Sequence, residues 1–488
     1  MVKWIERQTA VKSRFLGCFM GKPSIESALS SSGRLDRCLT RYFGGNTMDY
    51  RQVLSLLFPL LIDQAFLVSM NLFNTSIISN SGLEAVSAVN MVDSINIFVM
   101  NIFVALATGG TILVAQYKGR GQNEMLPAAM ASSVSTIVGS SSLVAIFMIA
   151  LSRPLLSLLF GAADPVVMDN ARIYLMGSAL SYIGFAVMEA VCGALRGLGE
   201  TRLSLKLTLL MNFTYLGLNF ILVTILGFGI WGMVIALVIA RFLAALLSIL
   251  HLVRADAEYR VSFVRLFHID ISMTKRILAI GMPFASEQMF FNGGKILTQT
   301  YIVGMGTLAM ATNAITNSVT ALFMIPANTF ALAIVTIVGR CIGHQDIQQA
   351  RRSVKSFLWL TSLSFVFSGL VILPFLQYIV SIFGPTENIL NQIYLITYVN
   401  TAAQGLLWAG SFLVPAALRA AGDIKFTSLT GMITMWTVRV ILSYVLGVAC
   451  GFGVFGIWVA MELEWAVRCV VFLVRFKTKR WYAHRIID

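Results

Sequence analysis

Long apolar blocks, rather than amphipathic stripes, occupy most of this 488-residue chain. Charged residues make up only 12% of the sequence, which is about half the content usual for a soluble domain. A helix needs about 20 apolar residues to cross a hydrocarbon core, and lipid cannot satisfy the open backbone groups of an irregular segment. The pattern therefore predicts an all-α membrane protein with twelve transmembrane helices. The predicted spans are 52–78, 86–116, 127–151, 170–195, 203–226, 231–253, 276–303, 308–341, 354–381, 389–418, 427–449 and 454–475.

The positive charges are concentrated in alternate loops. The net charge is +14, yet the loops on one side of the predicted bundle hold only Arg153 and Arg172. By the positive-inside rule, the basic loops and both termini are expected in the cytoplasm, which agrees with an even number of helices. Because the charge is spread over loops rather than on one soluble face, it does not indicate a nucleic-acid partner. The expected partner is the lipid bilayer.

The chain also resembles itself at an offset of about 224 residues. The segment "GALRGLGETR" (193–202) matches "AALRAAGDIK" (416–425), and "GFGIWGMVIA" (227–236) matches "GFGVFGIWVA" (451–460). Two six-helix lobes that enter the membrane from the same side are related by a pseudo-twofold along the membrane normal, with a cavity expected between them. The predicted organisation is a basic N-terminal extension (1–49), an N-terminal lobe (50–253), a cytoplasmic linker (254–275), a C-terminal lobe (276–476) and a basic tail (477–488).

Three interpretations of the N-terminal extension remain open. It is a basic tail that touches anionic headgroups, an Arg- and Ser-rich transit-like segment, or the product of a start codon assigned too early. The third interpretation is favoured and makes Met48 the candidate first residue.

A charged side chain inside a membrane helix is costly and therefore marks either function or an ion pair between helices. Asp63 and Glu287 occupy corresponding positions in the two halves, "PLLIDQ" and "PFASEQ", where a buried carboxylate can load and release a proton. Lys295, eight residues after Glu287, either offsets Glu287 or meets an anionic group of a substrate. The polar neighbours of these residues are the predicted wall of a substrate cavity: Gln64, Gln288, Asn292 and Lys295.

Other intramembrane charges are interpreted as structural. Glu464 and Arg468 have the i, i+4 spacing of a helical ion pair, and Arg439 belongs to the same group of late helices. Arg241 is expected to have a similar structural role.

Several function classes lack their motifs. There is no G-x-x-x-x-G-K-[ST] nucleotide site, no potassium-filter sequence, and no Ser/His/Asp or zinc-protease pattern. The six cysteines show no paired spacing, and the four histidines all fall in predicted cytoplasmic segments. We therefore expect neither an enzyme nor an ATP-driven pump, and no metal, nucleotide or other cofactor.

These features together resemble the MATE family, the multidrug and toxic compound extrusion transporters, over about residues 50–476. The resemblance rests on the first-helix proline Pro59, the "GLEAVSAVN" turn and the paired "ALRGLGET" and "ALRAAGDIK" loops, while "MWTVRV" and "EWAVR" are similar to a bacterial branch. It implies a monomer in the plasma (inner) membrane that exports organic cations or drugs in exchange for H⁺ or Na⁺, by alternating access of the two lobes.

The family's ion-coupling acids are not all present. Asn74 stands where many members have a helix 1 aspartate, Phe291 stands where some have a helix 7 glutamate, and helix 10 offers only Asn400 and Gln404. Coupling is therefore expected at Glu287 and Asp63, with Asn74 and Phe291 as neutral residues in the wall of the substrate cavity. H⁺ is favoured because Na⁺ needs several oxygen ligands. Two alternatives remain: a lipid-linked oligosaccharide flippase of the same superfamily, and a non-transporting membrane relative.

Overall fold

The computed structural model describes residues 47–79, 83–160, 164–255, 259–267, 270–478 and 480–482. Most of the predicted N-terminal extension and the end of the basic tail lie outside these residues. The side chains of 71–84 and 86, among them that of the predicted cavity residue Asn74, also lie outside the described part of the structure.

Each of the twelve predicted spans is a helix, and the described residues contain no strand. We number these helices α1 to α12. In the N-terminal lobe they are α1 (Tyr50–Ser79), α2 (Leu83–Arg120), α3 (Leu126–Ala150), α4 (Pro165–Leu198), α5 (Thr201–Asn219, continued as a π-helix over Phe220–Ile225) and α6 (Gly229–Arg254). In the C-terminal lobe they are α7 (Ile271–Gly304), α8 (Thr307–Gly343), α9 (Ile347–Ile372), α10 (Glu387–Ala403, then Gln404–Leu413 and Val414–Ala420), α11 (Ile424–Thr434, then Met435–Val440 and Ser443–Ala449) and α12 (Gly453–Lys477).

Ten segments of the described residues are long and apolar enough to cross a membrane by length and composition. The two helices outside that set, α7 and α12, carry polar groups well inside their length. Helix α7 contains Glu287 and Lys295, and α12 contains Glu462, Glu464 and Arg468. The same residues that lower the apolar character of these two helices form much of the candidate site.

The repeat seen in the sequence extends to the ends of helices. Helix α4 is followed by Gly199, which has φ of 84°, and the corresponding loop after α10 has Gly422 at φ of 105°. Both angles lie in the left-handed region that glycine adopts without strain, so the two matched loops turn in the same way.

The first helix of each half packs into the core of the other half. Val53, Leu56 and Leu60 of α1 belong to a hydrophobic cluster with α8, α9 and α10. Met273 and Ile277 of α7 belong to the cluster formed by α2, α3 and α4. This reciprocal exchange is what the pseudo-twofold requires, and it joins the two lobes into one packed structure.

The lobes approach most closely where α2 and α8 end, which we call the basic end because Lys118, Arg120 and Arg340 lie there. A Cβ on Gly119 would lie 2.1 Å from the carbonyl oxygen of Arg340, and a Cβ on Gly343 would lie 2.1 Å from that of Gln116. The two contacts are repeats of each other, since Gln116 corresponds to Arg340 and Gly119 to Gly343.

Side chains cross between the lobes at the same end. The Gln116 amide donates to the carbonyl oxygen of Ala420 at 2.8 Å, and Arg340 donates to the carbonyl oxygen of Leu198. Thr336 Oγ1 donates to the carbonyl oxygen of Arg196 at 2.9 Å. The structure therefore has its lobes closed together at the basic end.

Candidate functional site

Four charged side chains form an alternating chain inside the C-terminal lobe. Glu287 Oε2 lies 3.1 Å from Arg419 Nη1, and Glu287 Oε1 lies 3.6 Å from Arg468 Nη2. Arg468 Nη1 then lies 3.2 Å from Glu464 Oε1, which also accepts a hydrogen bond from Thr434 Oγ1 at 3.4 Å. Buried charges are tolerated when they are paired in this way, and removal of one partner leaves another uncompensated.

The packing around this chain fits its charges closely. Gly431 of α11 lies against Glu287, and a Cβ there would lie 2.6 Å from Glu287 Oε1. The guanidinium of Arg419 lies 4.2 Å from the ring centroid of Phe284, and that of Arg468 lies 4.8 Å from Phe412. Aromatic faces attract such cations, which adds to the ion pairs.

The partners of Glu287 correct the interpretation of Lys295 as its counter-charge. Both arginines that contact Glu287 come from other helices, Arg419 from α10 and Arg468 from α12. Lys295 instead lies 5.0 Å above the ring of Phe291, and Arg439 lies 5.8 Å from the same ring. Arg439 was expected to form an ion pair, but none joins it to a carboxylate within 4.0 Å among the described side chains.

Lys295 and Arg439 share a cavity of about 150 Å³ in the half of the C-terminal lobe remote from the basic end. Helices α7, α8, α11 and α12 supply its walls. Of the predicted cavity residues whose side chains the structure describes, only Lys295 lines it. Gln288 and Asn292 lie further towards the basic end, where the Asn292 amide donates to the carbonyl oxygen of Gln288 at 2.8 Å. The lining residues are Lys295, Thr298, Gln299, Ile302, Asn313, Asn317, Arg439, Ile457, Trp458 and Met461.

Asp63 is the counterpart of Glu287, and its surroundings differ. The residue is 6% exposed, and its Oδ1 is buried with no hydrogen-bond partner in the described structure. Arg196 and Glu189 are near enough to act on it electrostatically, but Arg196 Nη2 is bound to Glu189 Oε1 at 2.5 Å. Gln64, the next residue, is half-buried.

The repeat explains this difference between the lobes. Arg196 corresponds to Arg419, so each half has an arginine suited to its first-helix carboxylate. In the N-terminal half, Arg196 is bound by Glu189. The residue that corresponds to Glu189 in the C-terminal half is Phe412, which has no charge to bind Arg419. One acid is therefore held by arginines and the other is left with an unpaired oxygen.

A further polar network in the N-terminal lobe was not foreseen as a unit. Asp93 accepts hydrogen bonds from Asn96 at 3.0 Å and from Tyr174 at 3.3 Å. Nearby, Arg241 donates to Ser181 Oγ at 2.7 Å rather than to a carboxylate. Asp93 is half-buried and its Oδ1 has two donors, whereas Asp63 Oδ1 is buried without one.

The comparisons with known proteins agree with this architecture. The family model MatE matches residues 59–225 and 283–445, one match in each half of the chain. The chain belongs to the MATE family. Its two matches also coincide with the internal repeat, and family and fold are those of multi-pass membrane transporters.

Individual relatives match over nearly their whole length. The chain is 26% identical to the "Uncharacterized transporter YisQ" of Bacillus subtilis over 436 residues, covering 88% of this chain and 94% of that protein. It is 24% identical to the "Probable multidrug resistance protein NorM" of Thermotoga maritima over 449 residues, covering 90% and 94%. A solved structure described as the outward-facing conformation of a multidrug resistance MATE family transporter superposes with a TM-score of 0.80, at 17% identity, covering 88% of this chain and 95% of that one. The prediction of twelve helices in two lobes is thus confirmed.

Proposed function

We propose that this MATE protein is a secondary antiporter that exports small organic molecules, including organic cations and drugs, in exchange for H⁺. It works in the plasma (inner) membrane with both termini in the cytoplasm, so the basic end faces the cytoplasm. The family supports the transport role, and the concentration of Lys and Arg supports this orientation. In such a protein the two lobes alternate between closure at one end and closure at the other.

The unpaired oxygen of Asp63 is the observation that supports the coupling site. A proton can be added to Asp63 without breaking an ion pair, because its Oδ1 has no partner among the described residues. Protonation of Glu287 would instead leave Arg419 and Arg468 with one carboxylate fewer in a buried site. Of the two predicted coupling residues, Asp63 is therefore the better supported, and Glu287 has the contacts of a structural residue.

H⁺ fits this site better than Na⁺. A sodium site needs several oxygen ligands arranged around the ion. A proton needs only one oxygen. Coupling then requires that protonation of Asp63 and binding of substrate favour opposite lobe arrangements.

The test is transport by the purified protein in vesicles. A proton gradient or a sodium gradient is imposed, and efflux of a fluorescent organic cation is followed for the wild type, Asp63→Asn and Asp93→Asn. Asp93→Asn is the matched control, since it removes a half-buried acid of the same lobe that already has two hydrogen-bond donors. We expect proton-driven efflux to be lost in Asp63→Asn and kept in Asp93→Asn. Undiminished proton-driven efflux in Asp63→Asn would contradict the proposal.

One observation favours the flippase alternative. A flippase has to meet a pyrophosphate group, and the C-terminal cavity presents Lys295 and Arg439 together. In the same vesicles, transport of an anionic lipid carrier without efflux of any organic cation by the wild type would support that function instead.

A further inference from the structure

Among the described residues, the C-terminal cavity is lined by two cations and by no acid. Lys295 comes from α7 and Arg439 from the π-helical part of α11, and the remaining lining residues are neutral. The ammonium of Lys295 has no hydrogen bond or ion pair among the described residues, and Arg439 Nε is buried without a hydrogen-bond partner. Two unneutralised charges of the same sign at one cavity repel each other and leave a site complementary to an anion.

The nearby acid is not paired with either cation. Glu464 acts on Arg439 electrostatically, but its Oε1 is bound by Arg468 and Thr434, and its Oε2 has no hydrogen-bond partner among the described residues. The charge that acts on Lys295 is Arg439 itself, which has the same sign. Phe291 lies beneath both cations and provides only partial compensation through its ring.

The neutral residues of the cavity wall also offer a hydrogen-bond donor. Trp458 Nε1, which can only donate, is bound to Asn313 Oδ1 at 3.1 Å. Because Asn313 Oδ1 is the acceptor of that bond, the other end of the amide is Nδ2, which donates to Gln299 Oε1 at 3.1 Å. This order leaves the amide N–H groups of Gln299 available to an acceptor at the cavity. The order of donors and acceptors from Trp458 through Asn313 to Gln299 is determined by the indole N–H, which cannot accept a hydrogen bond.

The cationic character belongs to the C-terminal half alone. In the repeat, Arg439 corresponds to Tyr215, Lys295 to Asn71, and the lining residue Asn317 to Asp93. The corresponding positions of the N-terminal half therefore contain an acid and two neutral residues. The two halves have diverged in charge at equivalent places, which a purely structural pair of cations does not require.

We propose that this cavity binds the anionic group of an organic acid: a carboxylate, a sulfonate or a phosphate ester. A cavity of about 150 Å³ accommodates such a group with a small apolar body, and is smaller than the roughly 300–1,000 Å³ usual for drug-sized ligands. Lys295 and Arg439 supply the charge, Gln299 supplies a neutral donor, and Ile302 and Ile457 contact the apolar part. Binding stands on these residues alone, whereas transport of the bound anion rests on the proposed antiport.

The test measures binding without any gradient. The full chain is placed in nanodiscs of phosphatidylcholine, and benzoate is titrated by calorimetry beside its neutral and cationic analogues, benzamide and benzylamine. We expect saturable benzoate binding, with both analogues at least about tenfold weaker, since hydrogen bonds to charged groups are the stronger ones. Absence of saturable benzoate binding at millimolar concentration, or equal binding of benzamide, would overturn the proposal.

Variants assign the binding to the two cations. Lys295→Gln and Arg439→Gln should each weaken benzoate binding about ten- to hundredfold, and Lys295→Arg should restore it to within a few fold. Arg153→Gln, which removes an exposed cation of the N-terminal lobe, is the matched control and should bind as the wild type does. Each variant is first shown to be monodisperse and to unfold at the wild-type temperature. Benzoate binding that is unchanged in both Lys295→Gln and Arg439→Gln would refute the site.

Two further arms separate the possible outcomes. In the first, phosphatidylglycerol is added to the nanodiscs. If it competes with benzoate, the natural source of the anion is a lipid phosphate. If benzoate binding is unaffected, the natural ligand is a free organic anion. Asp63→Asn should bind benzoate normally even if it loses proton-driven efflux. Failure of this binding site and failure of the antiport proposal are therefore distinguished by different measurements.

Discussion

The closed contact at the basic end makes a quantitative prediction for Gly343→Ala. The added Cβ would lie 2.1 Å from the carbonyl oxygen of Gln116, whereas a Cβ atom essentially never lies closer than about 3.0 Å to a non-bonded heavy atom. The two helices must therefore separate by about 1 Å, which typically costs about 1–3 kcal/mol in a packed interface. The population of the arrangement closed at this end should fall about 5- to 150-fold relative to the alternative.

The reporter for this prediction is Thr336→Cys in a chain whose natural cysteines are replaced. Thr336 is 2% exposed and binds the carbonyl oxygen of Arg196 across the lobe contact, so a thiol there reacts with a water-soluble maleimide only when the lobes part. Gly343→Ala should accelerate the reaction by the same factor, and Gly119→Ala, its repeat counterpart, should act alike. Gly217→Ala is the control, since its Cβ would have no neighbour within 4 Å among the described residues. Equal reaction rates in Gly343→Ala and Gly217→Ala would refute the assignment of this contact as the closure.

Three further predictions concern buried ion pairs and are checked by thermal unfolding of the purified protein. Glu287→Gln should destabilise the fold by about 3–5 kcal/mol because two arginines lose a shared carboxylate. Arg419→Gln in the same chain should recover part of that loss, and a double variant whose loss of stability equals the sum of the two single losses would argue against the pairing. Gly431→Ala should also destabilise the protein, and by much less in the Glu287→Gln background if its Cβ acts by displacing that carboxylate. Asp423→Asn should cost about 1–3 kcal/mol, since Asp423 binds Arg475 through two contacts of 2.6 and 3.1 Å; a stability equal to that of the wild type would show that this pair contributes nothing.

The helices were predictable because lipid leaves the backbone few alternatives. Hydropathy located all twelve, and the repeat placed them in two halves. Local interruptions were less accessible. The span predicted as 354–381 ends as a regular helix at Ile372, followed by a 3₁₀ turn over Leu373–Phe375 around Pro374 and a short helix over Leu376–Ser381. A proline inside an apolar span marks such a break without giving its geometry.

The site was predictable where its contacts are local. The spacing of Glu464 and Arg468 within one helix anticipates their 3.2 Å contact. The partners of Glu287 come from helices more than a hundred residues away, and spacing along its own helix pointed to Lys295 instead. A signal did exist in the repeat, because Arg196 and Arg419 correspond just as Asp63 and Glu287 do. Which arginine would be bound by a second acid depended on packing between helices, which hydropathy does not encode.

The exchange of first helices between the lobes has a consequence for biosynthesis. Leu60 of α1 packs in the same cluster as Val319 and Phe323 of α8, which are synthesised about 260 residues later. At about 5–20 residues per second, α1 waits roughly 13 to 50 seconds for its partners. In water such a delay would leave an apolar surface open to aggregation, but lipid tails cover it at little cost. The bilayer therefore acts as a holding environment during synthesis, and completion of either half's core is postponed until the second half of the chain has been inserted.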